Sequence, residues 1–133
     1  MNYIVSLYKM VAAGICIGLG GIANLMAIPS PLGAFMFSIG LLLCLSNGYA
    51  LFTGMTKDIP YKENPQFLLT LICALFFNMV GCAIIAGIGN LAFDDISNKA
   101  YIIAEAIASA GWITVFMRAI LCGLLITFAC YAY

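Results

Sequence analysis

Apolar residues run along this chain in long stretches with short polar breaks between them. Between Lys9 and Lys57 no charged residue occurs, and Pro29-Ser30-Pro31 is the main interruption. The hydrocarbon core of a bilayer takes about 20 residues of helix. This interval therefore predicts two spans joined by a tight turn at the prolines. A second uncharged stretch, residues 64–93, predicts a third. Asp94, Asp95 and Lys99 then mark a loop, and from residue 106 onward Arg118 is the one charge. The pattern predicts an all-α integral membrane protein with four helices, about 4–28, 32–55, 66–91 and 110–133, in one membrane domain 1–133. The first is too long for a secretory signal and flows straight into another span.

Composition narrows the picture. The chain has 133 residues, 65% hydrophobic and 8% charged, where a soluble domain carries about a quarter charged residues. Mean hydropathy is +1.15, which leaves too little polar surface to coat a water-soluble globule. Five scattered cations make no basic patch, so nucleic-acid binding is excluded. The density of Leu, Ile, Phe and Val excludes disorder. Lys9, Lys57 and Lys62 fall on one side of a four-span chain and Lys99 on the other, which favours both termini in the cytoplasm. The bias is small enough that dual insertion stays open.

Catalytic chemistry has no foothold. There is no histidine, no Ser/His/Asp set, no phosphate loop and no carboxylate cluster. The cysteines at 16, 44, 73, 82, 122 and 130 lie in apolar spans without a Cys-x-x-Cys pair, and read as small buried hydrophobes. Neither enzyme activity nor a metal or cofactor is expected.

Polar and small residues inside the spans are the remaining signals. Gly14-x-x-x-Gly18 allows close helix approach, either as generic packing or as a face toward a pore or subunit. Ser46-Asn47-Gly48 and Thr53-Gly54 weaken the end of the second span. Such a segment is tolerated where irregular backbone lines a cavity, or as fraying at the surface. Asn78, mid-way along the third span, can bond a neighbouring helix or hold a re-entrant loop. Arg118 must face protein, water or headgroups, because an arginine at the bilayer centre costs about 2.5–3.5 kcal/mol on insertion scales. Glu105 lies about 20 Å from it along a helix and is no local partner.

Several segments together resemble a known family. Pro31-Leu32-Gly33, Phe37-Ser38-Ile39-Gly40-Leu41 and Gly48-Tyr49-Ala50-Leu51-Phe52-Thr53-Gly54 resemble the second-helix signature PLG…FSVGL…GAELFTGN of the formate/nitrite transporter family. Phe77-Asn78-Met79-Val80-Gly81 resembles its third-helix GN-x-x-G element. Phe116 to Gly123 resembles its fourth-helix FLRGILCN. Order and spacing hold across nearly the whole chain.

The resemblance implies half of an aquaporin-like inverted-repeat fold with a broken second helix. It also implies a pore for formate, nitrite, hydrosulfide or a related small monovalent anion or its neutral acid, in a pentamer within the inner (plasma) membrane. On that basis Leu51 and Phe52 form an apolar gate with Thr53 beside it. Gly48, Gly54 and Asn78 support the loop, and Arg118 is a pore-mouth cation. The departures are specific. Ala50 stands at the acidic position of GAELFTGN and Met55 at its asparagine; Gly123 replaces the asparagine of FLRGILCN. The family lysine ahead of the fourth helix falls near Ile107, and the central histidine has no counterpart. Nothing near the gate therefore titrates around neutral pH, and passage of the neutral acid is the easier route.

Three readings follow. The chain forms a channel by homo-oligomerisation, or with a partner chain supplying a second half; an antiparallel pair would require both topologies. Alternatively it is a non-transporting assembly or regulatory subunit of a membrane complex. A third reading is a fragment of a longer channel.

Overall fold

The computed structural model describes the backbone of residues 3–61 and 65–132, and the side chains of residues 7–59 and 65–132. Lys62 and Glu63 of the second loop, and Tyr133, lie outside the described residues.

Among the described residues, six α-helices and one 3₁₀ segment follow one another: α1 Tyr3–Ala27, α2 Leu32–Ser46, α3 Phe52–Met55, the 3₁₀ segment Thr56–Tyr61, α4 Pro65–Ala92, α5 Ile96–Ser109 and α6 Trp112–Ala132. The protein is an all-helical membrane protein. Within α1 (from Leu7), α4 and α6, stretches of 21, 28 and 21 residues are long and apolar enough to cross a bilayer. At 15 residues α2 is shorter, about 22 Å at 1.5 Å per residue.

Local chemistry sets the boundaries. Proline cannot continue a helix, and α1 stops just before Pro29. The turn is held by Ser30, whose N–H donates to the Ala27 carbonyl (2.7 Å) and whose Oγ accepts the Leu32 N–H (3.2 Å) at the start of α2. Pro65 opens α4 at the first helical position, where its missing N–H costs nothing.

The core is built on α1, which packs chiefly against α4 and α2. Glycines make both crossings close. A Cβ added at Gly81 would lie 2.9 Å from the Gly14 Cα and against the Val11 carbonyl; one added at Gly40 would lie 2.6 Å from the Cys16 carbonyl. Gly14 faces Asn78 and Gly18 faces Ile85, so the glycine face of α1 is used within the chain. Where lipid gives no hydrophobic drive, such approach lets dispersion and polar contacts hold helices together.

The second span is broken, as the family resemblance implies: α2 ends at Ser46 and an extended link leads into the four-residue α3. One feature departs from the sequence-based expectation. Residues 92–109, expected as a loop, contain α5. Its Ile96, Ile103 and Ile107 recur at helical spacing, and Ile96 is buried. The polar Ser97, Asn98, Lys99 and Glu105 between them hid the helix from a reading based on charge-free length.

Helix α6 stands apart from the α1–α2–α4 core. It meets chiefly α3 and the 3₁₀ segment, and Cys130 is its one buried residue. Because Lys9 meets the link after α2 and Cys130 meets Gly54, the start of α1 and the end of α6 lie at the same end of the bundle.

Candidate functional site: the break after α2

The break begins with a helix stop that only Gly48 allows at low cost. Gly48 has φ +61, the left-handed region that side chains with a Cβ avoid. Its N–H donates to the Leu45 carbonyl (3.0 Å), and the Tyr49 N–H reaches back to the Cys44 carbonyl (3.0 Å). These two bonds form a Schellman motif with glycine at its usual place, and Tyr49 packs back against the cluster that contains Cys44.

Every backbone N–H from Asn47 to Phe52 has a partner. Asn47 donates to Leu43, Gly48 to Leu45, Tyr49 to Cys44, Ala50 to the Lys9 carbonyl (3.2 Å) and Leu51 to Tyr49. The last, the Phe52 N–H, donates to Asn78 Oδ1 at 2.8 Å. Unpaired backbone groups at membrane depth cost several kcal/mol each, so an interrupted helix persists only where the protein pairs them.

Asn78 is the tie between the break and two helices. Its Nδ2 donates to the Met10 carbonyl of α1 (2.7 Å) and the Ala50 carbonyl of the link (3.0 Å), while Oδ1 accepts from Phe52. The side chain is 8% exposed. The amide orientation follows from its partners: the reverse would set an oxygen against two carbonyls and an NH₂ against an N–H. Gly14 leaves room for this arrangement, since a Cβ there would strike the Asn78 backbone carbonyl.

The other expected site residues divide into two groups. Leu51 is buried in a cluster with Ala13 and Cys44, and its other side borders a cavity of about 260 Å³ shared with Gly48, Tyr49, Gly54, Lys57 and Cys130. Phe52, Thr53 and Gly54 are half-buried on α3. Gly54 faces α6, where an added Cβ would come within 3.1 Å of Cys130 Sγ. Arg118 belongs elsewhere: it is exposed on α6 and lies about 18 Å along the axis from Cys130 at 1.5 Å per residue. The structure brings Gly48, Leu51, Phe52, Thr53, Gly54 and Asn78 together and leaves Arg118 outside the group.

Sequence reasoning counted Lys57 only as a topological charge, whereas the structure places it on the wall of the same cavity as Leu51. Its ammonium donates to the Cys130 carbonyl (2.9 Å) at the C-terminal end of α6 and lies 5.6 Å from the centre of the Tyr131 ring. The Tyr131 hydroxyl donates back to the Lys57 carbonyl (3.3 Å). A cation at a helix C-terminus meets the negative end of its dipole. The only hint in the sequence is a lysine following an apolar span, which does not reveal a carbonyl partner 73 residues away.

The family model described as formate/nitrite transporter matches residues 2–133, essentially the whole chain. Searches of curated proteins and of solved structures gave no match.

Proposed function

Because this chain belongs to the formate/nitrite transporter family, a family of membrane anion transporters and channels, we propose that the break after α2 is the selective part of its pore. The observation that carries the reading is the satisfied break. Six consecutive N–H groups at the interrupted helix are paired within the protein, which allows irregular backbone to border a solute path instead of lipid.

In this reading Leu51 and Phe52 form the apolar constriction, Thr53 offers a hydroxyl beside it, and Gly48, Gly54 and Asn78 hold the loop. Arg118 is a cation at the opposite mouth. The solute is a small monocarboxylate or inorganic monovalent anion of the formate, nitrite or hydrosulfide class. It crosses the constriction as the neutral acid, because stripping water from a bare anion is far costlier than dehydrating an uncharged molecule. The chain acts as a homo-oligomer, a pentamer by family likeness, or with a partner chain, and its termini face the cytoplasm of the inner membrane. No step requires a cofactor or bond chemistry.

Formate uptake into liposomes containing this chain alone, compared with empty liposomes at two pH values, tests the proposal. Uptake above the empty control, rising at the lower pH, supports it. Well-folded protein without uptake overturns the self-sufficient channel and supports the reading as an assembly or regulatory subunit.

A further inference from the structure

The four-residue α3 is too short to hold its own place. Isolated helices below about 12 residues are marginal, and this one is reached through the left-handed Gly48 and an extended link. Its position is therefore set by what it touches. On one side Leu51 is buried against Ala13 and Cys44, and the Phe52 N–H donates to Asn78. On the other side stands the end of α6. Gly54 faces Cys130, the Lys57 ammonium donates to the Cys130 carbonyl (2.9 Å), and the Tyr131 hydroxyl donates to the Lys57 carbonyl (3.3 Å). Lys57 thus offers an ammonium and a carbonyl to successive residues of α6, and a double attachment fixes an orientation that a single bond would leave free to swing. The Cys130 carbonyl lies in the last turn of α6, where carbonyls have no partner inside the helix, so the lysine satisfies a group that apolar surroundings would leave unpaired.

Resting on the transport reading above, we propose that the end of α6 is a clasp that sets the width of the constriction, with Lys57 as its positioning residue. Phe52 and Thr53 lie on α3 between its two sets of contacts, so their place in the path follows the placement of α3. Helix α6 has few other holds on the chain. It meets chiefly α3 and the 3₁₀ segment, and a cleft of about 400 Å³ lies between it and α2, with Leu42 and Leu45 on one wall and Ala129 and Ala132 on the other. A shift of α6 therefore reaches α3 first. Gly54 permits the close approach, since an added Cβ would come within 3.1 Å of Cys130 Sγ. Releasing the clasp leaves α3 tied at its N-terminal end alone, and the constriction then admits larger solutes. Loss of charge at Lys57 has a different signature. Formate and acetate carry the same charge, so a missing cation lowers the uptake of both and leaves their ratio alone.

The test uses the full chain in liposomes and reads initial uptake of acetate and of formate at one pH. Lys57→Met keeps most of the stem and loses the donor, so it should raise the acetate-to-formate ratio several-fold. Lys57→Arg, which still donates to a carbonyl, should stay near wild type. Tyr131→Phe removes the second attachment alone and should move the ratio the same way by less. A covalent clasp completes the comparison, because Gly54→Cys places a thiol within disulfide reach of Cys130. In the double variant with Lys57→Met, oxidation by copper phenanthroline should bring the ratio back toward wild type, and reduction should release it again, with the cross-link verified by mass spectrometry. An unchanged ratio in Lys57→Met or in Tyr131→Phe overturns the proposal. So does an Lys57→Arg protein as permissive as Lys57→Met, a double variant that does not cross-link, or a cross-linked protein that stays permissive. Hydrogen exchange of the backbone at residues 52–58, read on detergent-purified protein, tests the clasp without transport. Lys57→Met should speed that exchange several-fold while α1 and α4 keep wild-type rates. Wild type without uptake overturns the transport reading, and the exchange result then decides the clasp.

Discussion

Asn78 on α4 accepts the N–H of Phe52, 26 residues earlier in the chain, at 2.8 Å. With that bond the first turn of α3 is capped by a residue from another helix. The same amide also donates to α1 and to the link, so one side chain joins three segments.

Replacing Asn78 by leucine leaves the Phe52 N–H and the Ala50 carbonyl without this partner, and removes the tie to the Met10 carbonyl. Each buried group left unpaired costs about 1–3 kcal/mol, although interhelical bonds in membranes average nearer 0.6. Asn78→Leu should therefore destabilise the fold by about 2–4 kcal/mol, measured by unfolding in mixed micelles followed by circular dichroism. A loss under half a kcal/mol would show that the break is held by something else.

Gly48→Ala isolates the conformational cost of the helix stop. No atom lies within 4 Å of the position a Cβ would take, so only the left-handed backbone is strained. The cost should be about 1–2 kcal/mol, and Gly48→Asn, which tolerates this conformation better, should recover part of it. Equal stabilities for glycine, alanine and asparagine would refute the left-handed stop.

Two glycines of α1 should respond in opposite ways. Gly14→Ala drives a methyl into the Asn78 backbone and should cost about 1–3 kcal/mol through separation of α1 and α4. At Gly21 nothing lies within 4 Å, and alanine there should be neutral or stabilising by up to about 1 kcal/mol. The same unfolding assay compares the two.

Phe52→Ala should widen the constriction. The expected result is a several-fold rise in acetate uptake relative to formate, read in the same liposomes. An unchanged acetate-to-formate ratio in an active channel would remove Phe52 from the solute path.

Flux through this chain should follow the protonation of the solute. The chain has no histidine, so no side chain with an ordinary pKa near 6.5 can impose a step between pH 6 and 7. Uptake should fall steadily as pH rises above the solute's own acid range, since the permeating acid disappears. A separate inflection near pH 6.5, seen in a full pH–rate profile, would point to a titrating protein group.

Much of this arrangement was legible in the residues. Charge-free length located the long helices, because lipid admits few charges along a span. The glycine and polar residues at 46–48 and 53–54 marked a weak helix end, and Asn78 was conspicuous as an amide mid-way along an apolar helix. The partners were not legible. Nothing in the sequence states that Asn78 meets Phe52, Ala50 and Met10 together, because a crossing of α1 and α4 at Gly14 and Gly81 decides it. Helix α5 escaped because its apolar residues are spaced at helical period and mixed with polar ones. Lys57 escaped because its hydrogen-bond acceptor is a backbone carbonyl, which any residue could supply.

The 26-residue separation of Phe52 and Asn78 also orders events during synthesis. A nascent chain emerges from the ribosome N-terminus first, so the interrupted segment is delivered to the insertion machinery before the amide that completes it. Until α4 is in place, the Phe52 N–H and the Ala50 carbonyl lack their final partner. The turn after α2 thus gains its last partners late, with the arrival of α4, the second of the three long helices.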